Sequence, residues 1–199
     1  MTAASTPAPA GRGSARRMGG SQWQLDDDGR QLAAVLLLVV LALAAGFWVK
    51  AVAENQTRPV TSGGVSAAIP QAWISQPGAG DLRFSARDPR HPGLQYSVSL
   101  ISASDLARTV DAQIRARSSL LSEFQQLSRT PVSIGGRDGQ AVTYAYVTVR
   151  AGRAPVVSQG RDVYLPANGG ILVISLQSPI DSFDDSVAAF QRFAESVKV

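Results

Sequence analysis

One long uncharged run dominates the pattern of apolar and polar positions in this chain. From Gln31 to Val49 the sequence reads QLAAVLLLVVLALAAGFWV and contains no charged side chain. A helix of roughly 20 apolar residues spans the ~30 Å hydrocarbon core of a bilayer, and aromatic residues are enriched at its edges. The run therefore predicts a transmembrane helix over residues 31–50. The predicted anchoring side chains are Leu36, Leu37, Leu38 and Trp48.

A cleaved signal peptide is the alternative interpretation of this run, because Ala-x-Ala patterns lie in it and just after it. The run is longer than the roughly 7 to 15 residues of a signal-peptide core, which favours a retained anchor. Basic residues precede it at Arg12, Arg16, Arg17 and Arg30, whereas Lys50 and Arg58 follow it. By the positive-inside rule, the sequence predicts a single-pass protein of the cell membrane with a cytoplasmic N-terminus and an extracytoplasmic C-terminal domain.

The segments on either side of the run lack the apolar residues of a core. Residues 1–30 are rich in Ala, Pro, Gly, Ser, Thr and Arg. They are predicted to form a disordered cytoplasmic tail, because this composition buries too little apolar surface to offset the entropy of ordering. Residues 51–63 contain several turn-forming residues and are predicted to be a tether. The extracytoplasmic domain is predicted to occupy residues 64–199.

The first half of the domain changes from the period of strands to the period of a helix. Apolar and polar residues alternate over Leu82–Asp88 and over Gln95–Ser102, which predicts an antiparallel hairpin with a proline-containing loop. From Ser104 to Ser128 the period becomes helical, and this stretch predicts an amphipathic helix packed on the sheet, with Ser104 or Asp105 as its N-cap. The apolar positions of this helix are Leu106, Val110, Ile114, Leu121 and Phe124.

The second half of the domain returns to strands and closes with a helix. A short strand VSI and the turn GGRDG precede a strand over Gln140–Val149. Two further strands, Val156–Leu165 and Ile171–Ser178, flank an Asn-Gly pair, which is a strong hairpin signal. A final helix has an apolar face formed by Val187, Phe190, Ala194 and Val197. This grouping predicts an α+β fold, an antiparallel sheet flanked by helices in an α-β-α sandwich, after one N-terminal transmembrane helix.

Composition and charge remove several classes of function. The chain contains no cysteine, which excludes disulfides, thiolate metal sites and cysteine nucleophiles. The formal net charge is +4, but from residue 50 onward fifteen Lys and Arg face twelve Asp and Glu in interspersed order. Because there is no basic helix, no Lys or Arg run and no aromatic stacking motif, nucleic acid is not a predicted partner.

Several segments of the domain resemble the PsbP-like family. They are GVSAAIPQAW at Gly64–Trp73, FSARDP at Phe84–Pro89, the glycine-rich turn before VTYAYV, the strand GILVISLQSP and the closing FQRFAESVKV. The likeness covers about residues 62–199. It implies the α-β-α sandwich that PsbP-type photosystem subunits and their membrane-anchored bacterial relatives share with the Ran-binding Mog-type proteins. It also implies a non-catalytic module that docks on a membrane complex, and it supplies no residue-level functional motif.

Candidate chemistry in the domain is sparse. The single histidine, His91, lies between two prolines in the loop DPRHPG, a position more typical of an exposed or interface residue than of a general base. Trp73 follows Ile69 and Pro70 and is either a core residue, the favoured interpretation, or an exposed interface side chain. One histidine without cysteine does not make up a zinc site, and no calcium or phosphate loop is present in the sequence. No catalytic residue, cofactor or metal is therefore predicted.

The sequence thus predicts a non-catalytic, membrane-tethered extracytoplasmic binding or scaffold subunit that docks on a larger membrane protein assembly. The predicted partners are the bilayer and a protein of that assembly. The alternative function is a small-molecule or lipid carrier of the cell envelope, with its ligand between sheet and helix, because both helices have an apolar face. A hydrolase that uses one of the serines with His91 is the least favoured function.

Overall fold

The computed structural model describes residues 22–54, 56–149, 152 and 154–199. It divides into two units, Met1–Ala53 and Glu54–Val199. The elements in chain order are α1 (Gln22–Glu54), β1 (Thr57–Ser62), β2 (Val65–Pro70), β3 (Ile74–Pro77), β4 (Leu82–Arg87), β5 (Gln95–Ile101), α2 (Leu106–Leu120), β6 (Ser122–Ile134), β7 (Arg137–Thr148), β8 (Val156–Ala167), β9 (Gly170–Pro179) and α3 (Ile180–Ser196).

Helix α1 contains the long apolar run and extends beyond it at both ends. Residues 22–30, predicted to be part of a disordered tail, and residues 51–54, predicted to be part of a tether, are helical. The extension costs little free energy, because nucleation and not propagation is the unfavourable step of helix formation. The part of the tail prediction that concerns residues 1–21 lies outside the described residues.

The predicted transmembrane helix over residues 31–50 is not shown by the structure. Within the part of the chain that is described, no helix combines the length and the apolar character needed to cross a membrane. The membrane anchor and the topology derived from it therefore stay predictions.

The segment predicted to be a tether also contains a strand. Residues 57–62 form β1, which pairs antiparallel with β2 in a separate two-stranded sheet. Gly63 and Gly64 connect the two strands with φ angles of 56° and 80°. Two successive positive φ angles are what a tight hairpin turn of this kind requires, and glycine adopts them without steric cost. The folded domain therefore begins at Thr57 and not at residue 64.

Seven strands form the main sheet, in the order β3-β4-β5-β9-β8-β7-β6. Every pair of neighbouring strands is antiparallel. The predicted hairpins β4–β5 and β8–β9 are confirmed, the latter around the turn that contains the Asn-Gly pair. The predicted α+β class, with an antiparallel sheet flanked by helices, is confirmed as well.

The alternation of side chains along the central strands produces two cores. On β8, Val163 and Leu165 belong to one core, and Tyr164 between them belongs to the other. Helix α3 and strand β2 close the first core, with Phe190 and Phe193 from the helix. Helix α2 closes the second core through Val110. The two helices therefore cover opposite faces of the sheet, which is the predicted α-β-α sandwich.

Helix α2 is shorter than the sequence predicted. It ends at Leu120, and the chain from Ser122 onward forms the 13-residue strand β6 instead of continuing as a helix to Ser128. Phe124 still packs against the second core, but from a strand. Backbone pairing with β7 overrides the helical period here, because strand preference depends on tertiary partners. The N-cap is Asp105, one of the two predicted residues, whose side chain accepts a hydrogen bond from the backbone N–H of Arg108 at 3.0 Å.

Candidate functional site

The most densely connected polar cluster of the domain is an ion pair beneath helix α2. Arg117 of α2 donates from Nη2 to Oδ1 of Asp162 at 2.9 Å and from Nε to Oδ2 at 2.5 Å. Asp162 lies on the central strand β8 and has no exposed surface. A buried carboxylate is stable only when it is paired and hydrogen-bonded, and this bidentate contact supplies both conditions.

Two tyrosines and a serine complete the cluster. The hydroxyls of Tyr144 and Tyr164 donate to Asp162 at 3.3 and 3.2 Å. Arg117 also donates to Ser175 Oγ at 3.3 Å, and its guanidinium carbon lies 5.0 Å from the centroid of the Tyr144 ring. Burial and the nearby Asp162 carboxylate raise the pKa of both tyrosines, so both remain protonated donors. Burial acts to lower the pKa of Arg117, but the Asp162 carboxylate, together with Tyr144 and Tyr164, outweighs burial and raises that pKa.

A glycine makes room for this cluster. Gly160 lies directly opposite Tyr144 in the β7–β8 register, and a Cβ atom at Gly160 would overlap the end of the Tyr144 ring. Without a side chain at this position, the ring crosses β8 and its hydroxyl reaches Asp162. The need for glycine here is therefore a packing requirement and not a turn.

The cluster fastens α2 to the sheet and is not arranged for catalysis. Asp162 is inaccessible, and its donors are a guanidinium and two phenols whose pKa values are raised. The sequence does not predict this pair, because Arg117 lies outside the apolar positions of α2 and its partner is 45 positions away in the chain. One signal was present: Asp162 shares a strand face with Tyr164, so it occupies a core position in an otherwise apolar pattern.

His91, the only histidine, lies on the surface and is hydrogen-bonded to a buried carboxylate. Its Nδ1 donates to Oδ2 of Asp88 at 2.7 Å, and the side chain is 64% exposed against 6% for Asp88. The backbone N–H of Arg90 donates to the other oxygen of Asp88 at 2.8 Å. Burial acts to raise the pKa of Asp88, but the hydrogen bonds from His91 and Arg90 outweigh burial and lower it. No serine hydroxyl lies among the hydrogen-bond partners of His91 in the described residues.

Trp73 lies in the first core and not on the surface. It is 6% exposed, and its ring centroid lies 4.4 Å from that of Tyr96. Arg58 of β1 donates to the Trp73 backbone carbonyl at 2.9 Å, which ties the start of the domain to this position. Trp73 therefore contributes packing, and an interface role for its side chain is not supported by this placement.

The four predicted anchor residues lie on α1 with highly exposed side chains. The exposed fraction is 57% for Leu36, 62% for Leu37, 68% for Leu38 and 71% for Trp48. Trp73 and His91 belong to the other unit, Glu54–Val199. Among the described residues, no group of three or more carboxylates and histidines is placed to hold a metal ion.

One part of a sheet face lies beside helix α2 and is lined by short polar side chains. Tyr96 and Val98 point into the first core, so Gln95, Ser97 and Ser99 point to the opposite face. Helix α2 packs on β6 and β8, so it does not cover the part of this face that β3, β4 and β5 form. We name this region the open face, and its residues are Gln76, Ser85, Arg87, Gln95, Ser97, Ser99 and Gln177.

A groove lies at the end of the open face where β5 begins, next to Pro92 and Gly93. It consists of two adjoining clefts of about 340 and 370 Å³ that share Pro92, Gly93 and Gln95. The larger cleft has polar groups from Gln95, Gln177, Tyr146, Thr148 and Ser158 and apolar walls from Leu121, Val156, Pro92 and Pro179. Thr148 and Ser158 are hydrogen-bonded to each other at 3.1 Å. No charged side chain lines the larger cleft among the described residues, so its chemistry suits an uncharged ligand or a polypeptide backbone.

In contrast to the groove, the space between the sheet and α3 is almost completely filled by side chains. The recess described there measures only about 70 Å³. The alternative prediction of a ligand between sheet and helix therefore has no matching cavity under α3, and the larger cleft at the sheet edge is the better candidate.

Exposed aliphatic side chains gather at the end of the domain that carries the groove. Ile74 starts β3, Leu120 ends α2 and Ile180 starts α3. Val149 follows β7, and Val156 and Val157 start β8. We name this region the apolar end, and its six residues are exposed by 43% to 82%. Exposed aliphatic residues gathered at one end of a domain are typical of surfaces that contact proteins or membranes.

Comparison with known proteins supports the fold at low sequence identity. No family model matches the chain, and no curated protein matches it. The solution structure of cyanobacterial PsbP (CyanoP) from Synechocystis sp. PCC 6803 aligns with a TM-score of 0.50 and 14% identity, over 72% of this chain and 92% of that chain. At this identity the likeness shows a common fold alone, and it agrees with the PsbP-like resemblance of the sequence.

Two other solved structures align less closely. LpqN of Mycobacterium tuberculosis, described as involved in cell envelope biogenesis, has a TM-score of 0.46 and 18% identity over 72% of this chain and 90% of that chain. The Ran-binding protein Mog1p of Saccharomyces cerevisiae has a TM-score of 0.49 and 13% identity over 72% of this chain and 95% of that chain. Neither match carries a conclusion about the function of this chain.

Replacing Asp162 with Asn should destabilise the domain strongly. The substitution leaves Arg117 without a counter-charge, and breaking a buried pair in this way costs roughly 3 kcal/mol or more. The free energy of unfolding is measured by urea titration in mild detergent with near-UV circular dichroism. The control is Asp111→Asn, which removes the partner of Arg129 in an exposed pair of 2.6 Å and should cost less than about 1 kcal/mol. Equal losses for the two variants would contradict a special role of the buried pair.

Replacing Asp88 with Asn should change the pH dependence of stability. Because the pKa of Asp88 is lowered in the folded chain, its contribution is complete above the ordinary aspartate pKa, about 3.9, and is lost as the pH falls through the lower folded value. The variant should be less stable than the parent at neutral pH, and the difference should narrow below about pH 4. In a His91→Ala background the same substitution should cost less. A pH-independent difference would show that the hydrogen bonds do not act through the charge of Asp88.

Proposed function

We propose that this chain is a non-catalytic binding subunit, held at the membrane by residues 31–50, that docks an extracytoplasmic PsbP-like domain on a larger membrane protein assembly. The observation that carries the docking role is the open face with its adjoining groove. The polar clusters around Asp162 and Asp88 are satisfied internally, whereas the serines and glutamines of the open face are only partly buried or exposed and so remain accessible to a partner.

The open face suits a polypeptide partner. Its serines and glutamines offer both hydrogen-bond donors and acceptors, and the short serine side chains lose little conformational entropy when they are ordered. The polar residues are in register across four strands: Gln76 pairs with Ser85, Ser85 with Ser97, and Ser97 with Ser175. Ser97 is therefore the central position of the face, where a bulky charged side chain would oppose docking most strongly.

The membrane location is supported by the sequence of α1. The run from Gln31 to Val49 has no charge, and every described side chain from Leu32 to Trp48 is exposed. Exposed aliphatic side chains without an intervening charge are favoured in a hydrocarbon environment over water. The basic residues before the run support a cytoplasmic N-terminus.

The test is purification of the tagged full chain from the membranes in which it is naturally made. We expect it to resist a carbonate wash and to co-migrate with a partner after extraction in mild detergent. Ser97→Arg should lower the amount of co-purified partner by about tenfold, the effect of a ~1.4 kcal/mol loss of affinity. The matched control is Ser133→Arg, which places the same charge at an exposed serine near the β6–β7 turn.

Three results would oppose this proposal. A chain that the carbonate wash releases has no membrane anchor. A parent chain that always migrates as a lone monomer has no docking function. Equal losses of partner in Ser97→Arg and Ser133→Arg would place the docking surface elsewhere.

A carrier of a small uncharged ligand is the second candidate function, and the larger cleft favours it. The cleft volume of about 370 Å³ lies in the range of ligand pockets, and its hydroxyl and amide groups lie between apolar walls. Burial raises the pKa of Tyr146, so its hydroxyl is a protonated donor at the cleft wall. This chemistry matches a neutral amphipathic molecule better than a charged one.

Native mass spectrometry of the chain after incubation with a neutral lipid extract tests the carrier function. A bound mass should appear on the parent chain and be lost in Val156→Trp, because the larger ring fills the cleft. Val157→Trp is the matched control, since the adjacent residue of β8 points to the opposite side of the strand and is not among the lining residues. Absence of a bound mass on the parent, or its retention in Val156→Trp, would count against a carrier.

A further inference from the structure

The apolar end and the beginning of the folded domain lie at the same end of the sheet. The backbone N–H of Gln71 donates to the carbonyl of Gln56 at 2.9 Å, just before Trp73 and Ile74. Arg58 reaches Trp73 and Ser75 at 2.9 and 3.2 Å. The chain therefore enters the domain beside Ile74, which is one of the six residues of the apolar end.

The register of the sheet shows that the other members lie at this same end. Ile74 is level with Arg87, Gln95, Gln177, Gly160 and Tyr144 across successive strands. Beyond that row, β7 continues to Val149, β8 begins with Val156 and Val157, and β9 passes into α3 at Ile180. Leu120, at the end of α2, is the most exposed of the six at 82%.

The length of the connection limits what can cover this end. Trp48 precedes Gln56 by eight positions; the six up to Glu54 belong to helix α1 and rise about 9 Å, and two extended residues add about 7 Å, so the connection spans about 16 Å. A bilayer that holds the apolar run of α1 is therefore within reach of the end at which the chain enters the domain. Exposed Arg87 and Arg90 beside Ile74 suit an anionic headgroup layer, whereas Asp181 beside Ile180 opposes deep insertion there.

We propose that the apolar end rests on the lipid bilayer, as a second, peripheral membrane contact that fixes the orientation of the domain. This inference rests on the proposed anchor, since the anchor brings the bilayer within reach. In this orientation the strands run towards the membrane, and the open face stands at the side, accessible to a neighbouring protein. The aliphatic side chains enter the interface between headgroups and acyl chains, and the cationic flank near Ile74 lies closer to the lipid than the flank near Asp181.

The absence of cysteine makes a labelling experiment direct. Single-cysteine variants Val149→Cys, Leu120→Cys and Ile180→Cys of the full chain carry a nitroxide and are reconstituted in nanodiscs of phosphatidylcholine with or without phosphatidylglycerol. Accessibility to oxygen and to a water-soluble nickel complex is measured. The controls are Leu127→Cys, an equally apolar exposed residue in the middle of the edge strand β6, and Ser133→Cys near the β6–β7 turn.

Lipid contact predicts a loss of nickel accessibility and a gain of oxygen accessibility at Val149 and Leu120, with a smaller change at Ile180 and none at the two controls. Phosphatidylglycerol should strengthen the effect, and Arg90→Gln should reduce that strengthening. Equal nickel accessibility at Val149 and Ser133 in nanodiscs would overturn the inference. It would also be overturned if the Val149 label became protected only in native membrane extract, because that result assigns the apolar end to a protein.

Failure of the anchor is distinguishable from failure of this inference. A full chain that does not enter nanodiscs disproves the anchor, and the labels are then measured on the same chain with phosphatidylglycerol vesicles added. If the label at Val149 but not the label at Ser133 is protected from the nickel complex under those conditions, the inferred lipid contact is supported without the anchor. Equal accessibility of the two positions would reject it.

Discussion

The structure depends first on the two-sided character of the central strands β8 and β9. Each strand is paired with a neighbour on both edges, and its successive side chains point alternately into the core under α3 and the core under α2. On β9, Leu172, Ile174 and Leu176 serve the core under α3, while Ile171 and Val173 serve the core under α2. A shift of one residue in register would exchange the two sets, so the pairing of these strands determines where both helices pack.

The two layers are held in different ways, and this difference shapes the surface. The α3 layer is fastened by aromatic packing, with Phe190 and Phe193 against Tyr96, and it is extended by the β1–β2 hairpin. The α2 layer is fastened by a buried ion pair in addition to its apolar residues. Because α2 is a single 15-residue helix on a seven-stranded sheet, it does not cover the part of the sheet face that β3, β4 and β5 form. The open face and the groove arise from this limited coverage.

The elements could be predicted where local patterns and tertiary pairing agree. Alternation along β4 and β5, and the Asn-Gly turn between β8 and β9, predicted these two hairpins correctly. The prediction for α2 was wrong after Leu120, because Leu121 and Phe124 continue the apolar spacing of a helix although the chain has become a strand. The strand β1 was also missed, although Gly63 and Gly64 are a signal for a tight hairpin. In both cases the deciding energy comes from a partner strand that the local pattern does not contain.

By itself, the sequence determined the fold class, the hairpins of the central sheet and the presence of an uncharged run long enough to suggest an anchor. These features depend on residue type and on periods of two or 3.6, which are local properties. Only the tertiary structure decided that Arg117 meets Asp162 across 45 positions and that six scattered aliphatic residues share one end. Such placements result from strand order and register, which join positions far apart in the chain and leave no fixed spacing in the sequence.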